Sequence, residues 1–326
     1  MRSDSWSSLF LYCYQAQLAL NTVLITGATG FIGRYVARQF AQAHWSVVGL
    51  GTHPPENAPT SDLVVYHPLI LPSSKLAQII QQTQPQVCIH CAGRASVDLS
   101  VGDPAADFNA SVAVTFNVLD TLRIYAPTCR VIYLSSAAIY GNPASLPITE
   151  THGANPISPY GFHKLMGEQL CAEFFKLYQL PTTIVRIFSA YGPGLRRQVL
   201  WDICRKALTQ PTLMLRGTGQ ESRDFIHVRD IARAIYLLSD RAAFEADIYN
   251  LASGVETSIQ TLAAIVLQEL NCAISLEFDG LVPLGNPLNW RANISALTQL
   301  GFVPEVSLDR GVQVYAQWCR AEILGW

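Results

Sequence analysis

The sequence predicts an α/β fold: a doubly wound parallel sheet followed by a smaller C-terminal substrate-binding portion. Three observations carry this expectation. Short apolar runs alternate with amphipathic stretches up to about residue 190. A glycine-rich turn stands directly after the first apolar run. Beyond that point the alternation gives way to short strands, turns and helices with many Pro and Gly.

Taken in order, strands are expected at Thr22–Thr26, Ser46–Leu50, Leu63–Tyr66, Val87–Cys91, Arg130–Leu134 and Thr182–Arg186. Helices are expected at Phe31–Ala43, Ser74–Gln82, Pro104–Tyr125 and Pro159–Tyr178. Strand–helix alternation at this spacing implies right-handed βαβ units and a parallel sheet. Residues 1–21 read as an N-terminal extension. Phe10 to Leu20 is apolar and follows Arg2, which loosely resembles a signal peptide, but Gln15 and Gln17 interrupt it and it runs almost directly into the first strand.

The chain has 326 residues, half of them hydrophobic and 14% charged, with a formal net charge of -2. Such a chain buries a large core and is not disordered. With no long Lys/Arg run and no apolar run of membrane-spanning length, neither nucleic acid nor a membrane is expected as a partner. The 8 cysteines show no framework spacing, which points to reduced thiols in a cytoplasmic protein. Cys88 and Cys91 do have C-x-x-C spacing. A redox pair or half a zinc site is weighed against two buried side chains on a strand. No second pair follows, so burial is preferred and no metal is expected.

Gly27, Gly30 and Gly33 follow the first strand at once, and a helix then begins. Gly27 allows the tight turn, Gly30 lets backbone approach a pyrophosphate, and Gly33 lets helix and strand pack closely. N–H groups of the helix start, around Phe31 and Ile32, then face the phosphates of a dinucleotide. Residues 22–190 are therefore read as a Rossmann-type NAD(P)-binding domain, with later returns near 225–255, and residues 191–326 as mostly substrate-binding. Small-molecule ligands of such sheets bind at the C-terminal ends of the strands.

Tyr160 and Lys164 stand four apart at the expected start of a helix, on one face. A tyrosine is a poor base near neutral pH, but a nearby ammonium and an oxidised nicotinamide favour its phenolate. Tyr160 can then take a hydroxyl proton as hydride leaves the carbon. Lys164 can also hold the nicotinamide ribose. Ser136, at the end of the fifth strand, would hydrogen-bond the reacting oxygen, with Ser135 as the fallback one register away.

These features together, with G-x-x-G-x-x-G spacing in the glycine loop, resemble the extended branch of the short-chain dehydrogenase/reductase superfamily: nucleotide-sugar epimerases, dehydratases and reductases. Further segments carry the resemblance. His90-Cys91-Ala92-Gly93 resembles the fourth-strand segment that lines the cofactor, so Ala92 and Gly93 are expected beside it. Arg186 to Gly194 is similar to the R-x-x-N-V-Y-G-P-G segment, and Gly217 to Asp230 to the later G-x-G-x-Q-x-R-D-F-I-x-V-x-D stretch. Coverage runs from about residue 22 to about residue 315. Ser111, Ser189 and Asn293 depart from the family pattern, which carries Asn, Asn and Asp there.

For the cofactor, the resemblance implies NAD(P). Gly51 stands where NAD-binding members carry Asp at the end of the second strand, and its absence removes the repulsion against a 2′-phosphate. Arg34 and His53 could supply positive charge, which tilts the expectation towards NADP. Pro68-Leu69 replaces the family's usual contact to the adenine edge.

For the reaction, dehydratases and decarboxylases of the family place acidic side chains just after the strand-end hydroxyl. Here those places are Ala137 and Ala138, which cannot move protons. A 4-epimerase acting by hydride transfer at a ring carbon of a sugar, nucleotide-linked by resemblance, is the favoured expectation. An NADPH-dependent ketosugar reductase is the alternative. A non-catalytic cofactor-binding protein on the same fold is a second alternative, since fold does not fix function. Ser136, Ser189, Arg223 and Arg291 are the expected substrate contacts, the two arginines for phosphate. The long helices Pro104–Tyr125 and Pro159–Tyr178 carry apolar residues on more than one face, and in the family such helices pair two chains into a homodimer.

Overall fold

The computed structural model describes residues 21–54, 56, 61–281, 285 and 287–325. Apart from Asn21, the expected N-terminal extension, Cys13 included, lies outside these residues.

The first half of the chain runs β1 (Thr22–Thr26), α1 (Phe31–Gln42), β2 (Ser46–Gly51), β3 (Val65–Pro68), α2 (Lys75–Thr83), β4 (Val87–His90), α3 (Val97–Gly102), α4 (Pro104–Phe108), a π-helical turn (Asn109–Ala113), α5 (Val114–Tyr125) and β5 (Arg130–Ser136). After a 3-10 turn (Ala137–Tyr140) come α6 (Pro159–Tyr178), β6 (Thr182–Ile187), β7 (Ser189–Tyr191), α7 (Gln198–Thr209), β8 (Thr212–Leu215), β9 (Ser222–His227), α8 (Val228–Arg241) and β10 (Glu245–Leu251). The chain closes with β11 (Glu256–Ser258), α9 (Ile259–Glu269), β12 (Ser275–Phe278), α10 (Ser295–Gln299) and α11 (Leu308–Leu324).

Seven strands form one parallel sheet in the order β10-β6-β5-β4-β1-β2-β3. The order reverses beside β1, where β2 lies on one side and β4 on the other. That crevice is where such sheets bind ligands. Alternate side chains feed two cores. Val23 and Ile25 pack on one face with Val36, Phe40, Ile231 and Leu238, whereas Leu24 packs on the other with Val118, Leu122 and Phe174. A strand buried on both faces must read as a near-continuous apolar run, which is how β1, β4 and β5 read.

Several boundaries differ from the sequence expectation, most by a single residue. The third strand is Val65–Pro68 rather than Leu63–Tyr66, because its ladder starts where Val65 meets Val48. The fifth and sixth strands run on to Ser136 and Ile187, which pair with each other at the sheet's edge over the site. The run Pro104–Tyr125 is helical but not one α-helix: a π-helical turn at Asn109–Ala113, with Ser111 buried in it, interrupts it.

The remainder builds a three-stranded sheet, β11-β9-β7, and a two-stranded one, β12-β8. Their core joins α7, α9 and α11 through Leu200, Ile203, Leu262, Val266, Val312 and Tyr315. Among the described residues no helix is long and apolar enough to cross a membrane. Their cysteines are all free thiols. Burial pushes the Cys91 thiol up to about 12 and raises Cys88 further, so this C-x-x-C pair lacks the low-pKa thiolate of a redox site. No metal-binding cluster occurs among the described residues.

Candidate active site

Gly27 turns the chain out of β1 with φ 67, in the left-handed region. A side chain there would start 2.9 Å from the Ala92 nitrogen. On Gly33 it would start 2.2 Å from the Gly27 carbonyl oxygen, so loop and helix meet backbone to backbone. Gly30 caps α1 without a side-chain hydrogen bond, which leaves the first-turn N–H groups turned outward with the positive end of the helix dipole. A pyrophosphate fits this cradle. Phe31 and Ile32 pack their side chains into the C-terminal core and the first sheet core, so they have only backbone to offer a ligand.

Arg34 does not face the end of β2. Its Nη2 donates to the Pro193 carbonyl at 2.8 Å, and the guanidinium lies over Tyr35 and beside Gly194. The expected help for a 2′-phosphate is therefore absent from this side chain. At Gly51, a side chain would start 2.6 Å from the Thr29 hydroxyl and 2.8 Å from the Tyr66 hydroxyl. Tyr66 donates to the His53 carbonyl at 2.8 Å, and Thr29 bonds the His53 ring at 2.9 Å. The place of the missing carboxylate is filled by hydroxyl groups.

The start of α6 is set locally. Ser158 accepts from the Gly161 N–H at 3.2 Å, Pro159 occupies the first turn, and the Tyr160 N–H donates to Ser100 Oγ at 3.1 Å. This fixes Tyr160 against the end of β5. Burial raises the Tyr160 pKa, while a hydrogen bond with Ser136 and the charge of Arg197 pull it down. Ser136 Oγ also accepts from the Ala138 N–H at 3.2 Å. Ser135 points away, its hydroxyl donating to Glu168, so the strand register puts Ser136 and not Ser135 beside Tyr160.

Lys164 was expected to lower the Tyr160 pKa directly. It faces elsewhere: Nζ donates to the Leu134 carbonyl at 2.7 Å and stands 5.1 Å from the Tyr133 ring centre. Burial lowers its pKa to about 8. Lys164 Nζ and the buried, unpartnered Ser111 Oγ each lie 3.8 Å from the point where a side chain on Gly93 would start. These two donors converge on open space at the end of β4, beside Ala92 and Gly93, which suits a ribose.

The expected substrate residues lie beyond. Ser189, half-buried on β7, pairs with Phe225 of β9. Arg223, on β9, donates to the carbonyls of Ser222 and Leu288 and lies 5.6 Å from the Trp290 ring centre. Arg291 follows that tryptophan, on a segment bridged to β9 through Asn289 and Ser222. Arg223 and Arg291 thus sit on neighbouring segments. Ala137 and Ala138 are enclosed in the 3-10 turn and bring no acid or base.

Sequence reasoning missed a set of buried polar groups under the site. His90 bonds Thr26 at 2.7 Å and Thr115 at 3.1 Å. Asp107 Oδ2 bonds His163 Nδ1 at 2.6 Å. Arg186 pairs with Glu168 and donates to Tyr140. One signal was available: a histidine inside the Tyr160–Lys164 segment.

A dinucleotide cradle at the switch point of a parallel sheet, with a hydroxyl, a tyrosine and a lysine at the adjoining strand ends, defines the class as a dinucleotide-binding fold of oxidoreductase type. The family model described as "NAD dependent epimerase/dehydratase family" matches residues 23–252, and the chain belongs to that family. The UDP-glucose 4-epimerase of Mycolicibacterium smegmatis is 29% identical over 316 residues, covering 91% of this chain and 98% of that one. Among solved structures, UDP-N-acetylglucosamine 4-epimerase from Methanobrevibacter ruminantium superposes with a TM-score of 0.84 at 23% identity, over 94% of this chain and 100% of that one. UDP-glucose 4-epimerase of Thermus thermophilus, solved in complex with NAD, gives a TM-score of 0.82 at 24% identity, over 92% of this chain and 99% of that one.

Proposed function

We propose that this protein is a 4-epimerase of a nucleotide-linked hexose, with Ser136, Tyr160 and Lys164 as its reacting set. The observation that carries the reading is the Ser136 hydroxyl at the end of β5, which acts on the buried Tyr160 phenol and is followed directly by Ala137 and Ala138. A hydroxyl and a phenol that can pass one proton are followed by two residues that bring no acid or base to eliminate water. Relatives acting on UDP-sugars support the substrate class.

The cradle would hold NAD, whose chemistry there would be reversible hydride transfer at the sugar ring carbon. The chain's own residues do the rest. Gly27, Gly30 and Gly33, with the backbone of Phe31 and Ile32, hold the phosphates, and Ala92, Gly93 and Lys164 flank the ribose. Tyr160 takes the sugar hydroxyl proton and gives it back, and Ser136 holds that oxygen in place. Arg223 and Arg291 take the substrate phosphates, with Ser189 beside them, in the portion formed mainly by residues 191–326.

The neighbours solved with NAD, and the engagement of Arg34 with Pro193, favour NAD over the NADP that Gly51, Arg34 and His53 suggested. We further propose a cytoplasmic homodimer, built on the exposed Phe108, Phe116, Phe162, Met166 and Leu177 of the α4–α5 and α6 faces.

The test is product analysis. Incubation with UDP-glucose and NAD should yield the C4 epimer with no net accumulation of reduced cofactor. Absence of epimer there, with stoichiometric consumption of NADPH in a parallel incubation with a nucleotide-linked ketosugar, would overturn the reading in favour of a reductase.

A further inference from the structure

A buried carboxylate stands behind the Tyr160–Lys164 pair. Asp107, on α4, is wholly enclosed. Its Oδ2 is held by the His163 ring on α6, while its Oδ1 is buried with no hydrogen-bond partner. His163 immediately precedes Lys164 in the chain, and its ring packs edge-on against Phe108. The pair therefore ties the helix before the π-helical turn to the helix that carries Tyr160 and Lys164.

The charges around Lys164 show why this matters. Its ammonium is buried, and a buried ammonium without a counter-charge gives up its proton. Two carboxylates stand near it: Glu168, one turn further along α6, and Asp107, one turn before Ser111, whose Oγ shares with Lys164 Nζ the space off Gly93; both favour the ammonium. Glu168 is already taken up by the Arg186 guanidinium, in a bidentate pair, and by the Ser135 hydroxyl. The neighbouring thiols of Cys91 and Cys171 are pushed up by burial, and the His90 imidazole is pushed down to about 3, so all three are neutral. Asp107 is the carboxylate that keeps one oxygen unpaired, since only its Oδ2 is taken up by His163. Its field also reaches Tyr160, where it opposes that of Arg197.

We propose that Asp107, fixed in place by His163, is the counter-charge that sets the protonation of Lys164 and, through the same field, of Tyr160. It is a positioning residue for proton transfer. The inference rests on the reading of Tyr160 and Lys164 as the reacting pair.

The sign follows from the charges. A negative charge raises the pKa of both an ammonium and a phenol, so its removal lowers both. Asp107→Asn keeps the shape and removes the charge. Both limbs of the pH profile of kcat/KM should then move to lower pH, by on the order of one unit. Independently of turnover, the pH midpoint of the Lys164 ε-carbon resonance, followed by NMR of lysine-labelled protein, should fall by a similar amount. Asp107→Glu should restore both midpoints at least in part. Unchanged midpoints with a merely reduced rate would overturn the proposal, because a packing role lowers amplitude without shifting titrations. Asp107→Ser provides a second neutral variant. If neither neutral variant folds, the carboxylate serves stability and the proposal fails. Tyr160→Phe separates the two readings: retained turnover there sinks the active-site assignment, whereas the NMR midpoint of Lys164 still judges Asp107.

Discussion

Arg186 and Glu168 form a buried bidentate pair, Nη2 to Oε2 at 2.7 Å and Nε to Oε1 at 3.0 Å, directly under the strand end that carries Ser136. Arg186 also donates to the Tyr140 hydroxyl at 2.8 Å, and Tyr140 donates to Asn250 at 2.7 Å. The network joins β5, β6, α6 and β10 below the site. Removing one partner strands the other charge in the interior. Arg186→Met should therefore destabilise the fold by roughly 3–5 kcal/mol. Urea unfolding of the two proteins measures it, and a loss below about 1 kcal/mol would show that solvent or a neighbour relieves Glu168.

His90 makes stability depend on pH. Burial holds its imidazole neutral, with a pKa of about 3, between Thr26 and Thr115. The unfolded chain binds this proton near the ordinary histidine value. The folded pKa is depressed, so the contribution is complete above the unfolded value and is lost as pH falls towards the folded one. Between pH 7 and pH 5 the native state should lose about 2 kcal/mol through this residue. His90→Asn should flatten that part of the stability curve. An identical pH dependence in the variant would assign the acid sensitivity elsewhere.

The cofactor prediction concerns the end of β2. Thr29 and Tyr66 fill the space a side chain on Gly51 would need, and Arg34 is held by Pro193. Apo-protein should bind NAD at least as tightly as NADP. Gly51→Asp should not improve NAD binding unless Thr29 and Tyr66 both give way, so adding Thr29→Ala and Tyr66→Phe to remove the two hydroxyls should help it. Calorimetric titration decides between the cofactors. NADP binding tenfold more tightly, about 1.4 kcal/mol, would restore the argument from the missing carboxylate.

Much of this architecture was legible in the chain because local physics carries it. The strands β1 and β4 read as apolar runs, and the span of α6 is bounded by Ser158-Pro159 at its start and by Gln179, in a left-handed conformation, at its end. The third strand was misplaced by two residues because its limits are set by pairing with β2, which leaves no local mark. The π-helical turn at Ser111 was equally silent, since its residues are ordinary helix formers. The orientations of Arg34 and Lys164 were not legible at all. Each is fixed by a backbone carbonyl far away in sequence, that of Pro193 and that of Leu134. The Asp107–His163 pair joins two helices 56 residues apart, so only its histidine could be noticed beforehand.

The account turns on Tyr160 as the group that moves the sugar's proton. The Ser136 hydroxyl acts on its phenol, and the two residues that follow that serine, Ala137 and Ala138, bring no acid or base. The most direct measurement compares wild type and Tyr160→Phe for interconversion of UDP-glucose and its C4 epimer by NMR, with NAD affinity measured alongside. The expected result is epimer formation without net cofactor reduction in the wild type, and a loss of at least about 100-fold in kcat in the variant at unchanged NAD affinity. A variant that keeps most of the wild-type kcat would contradict the account.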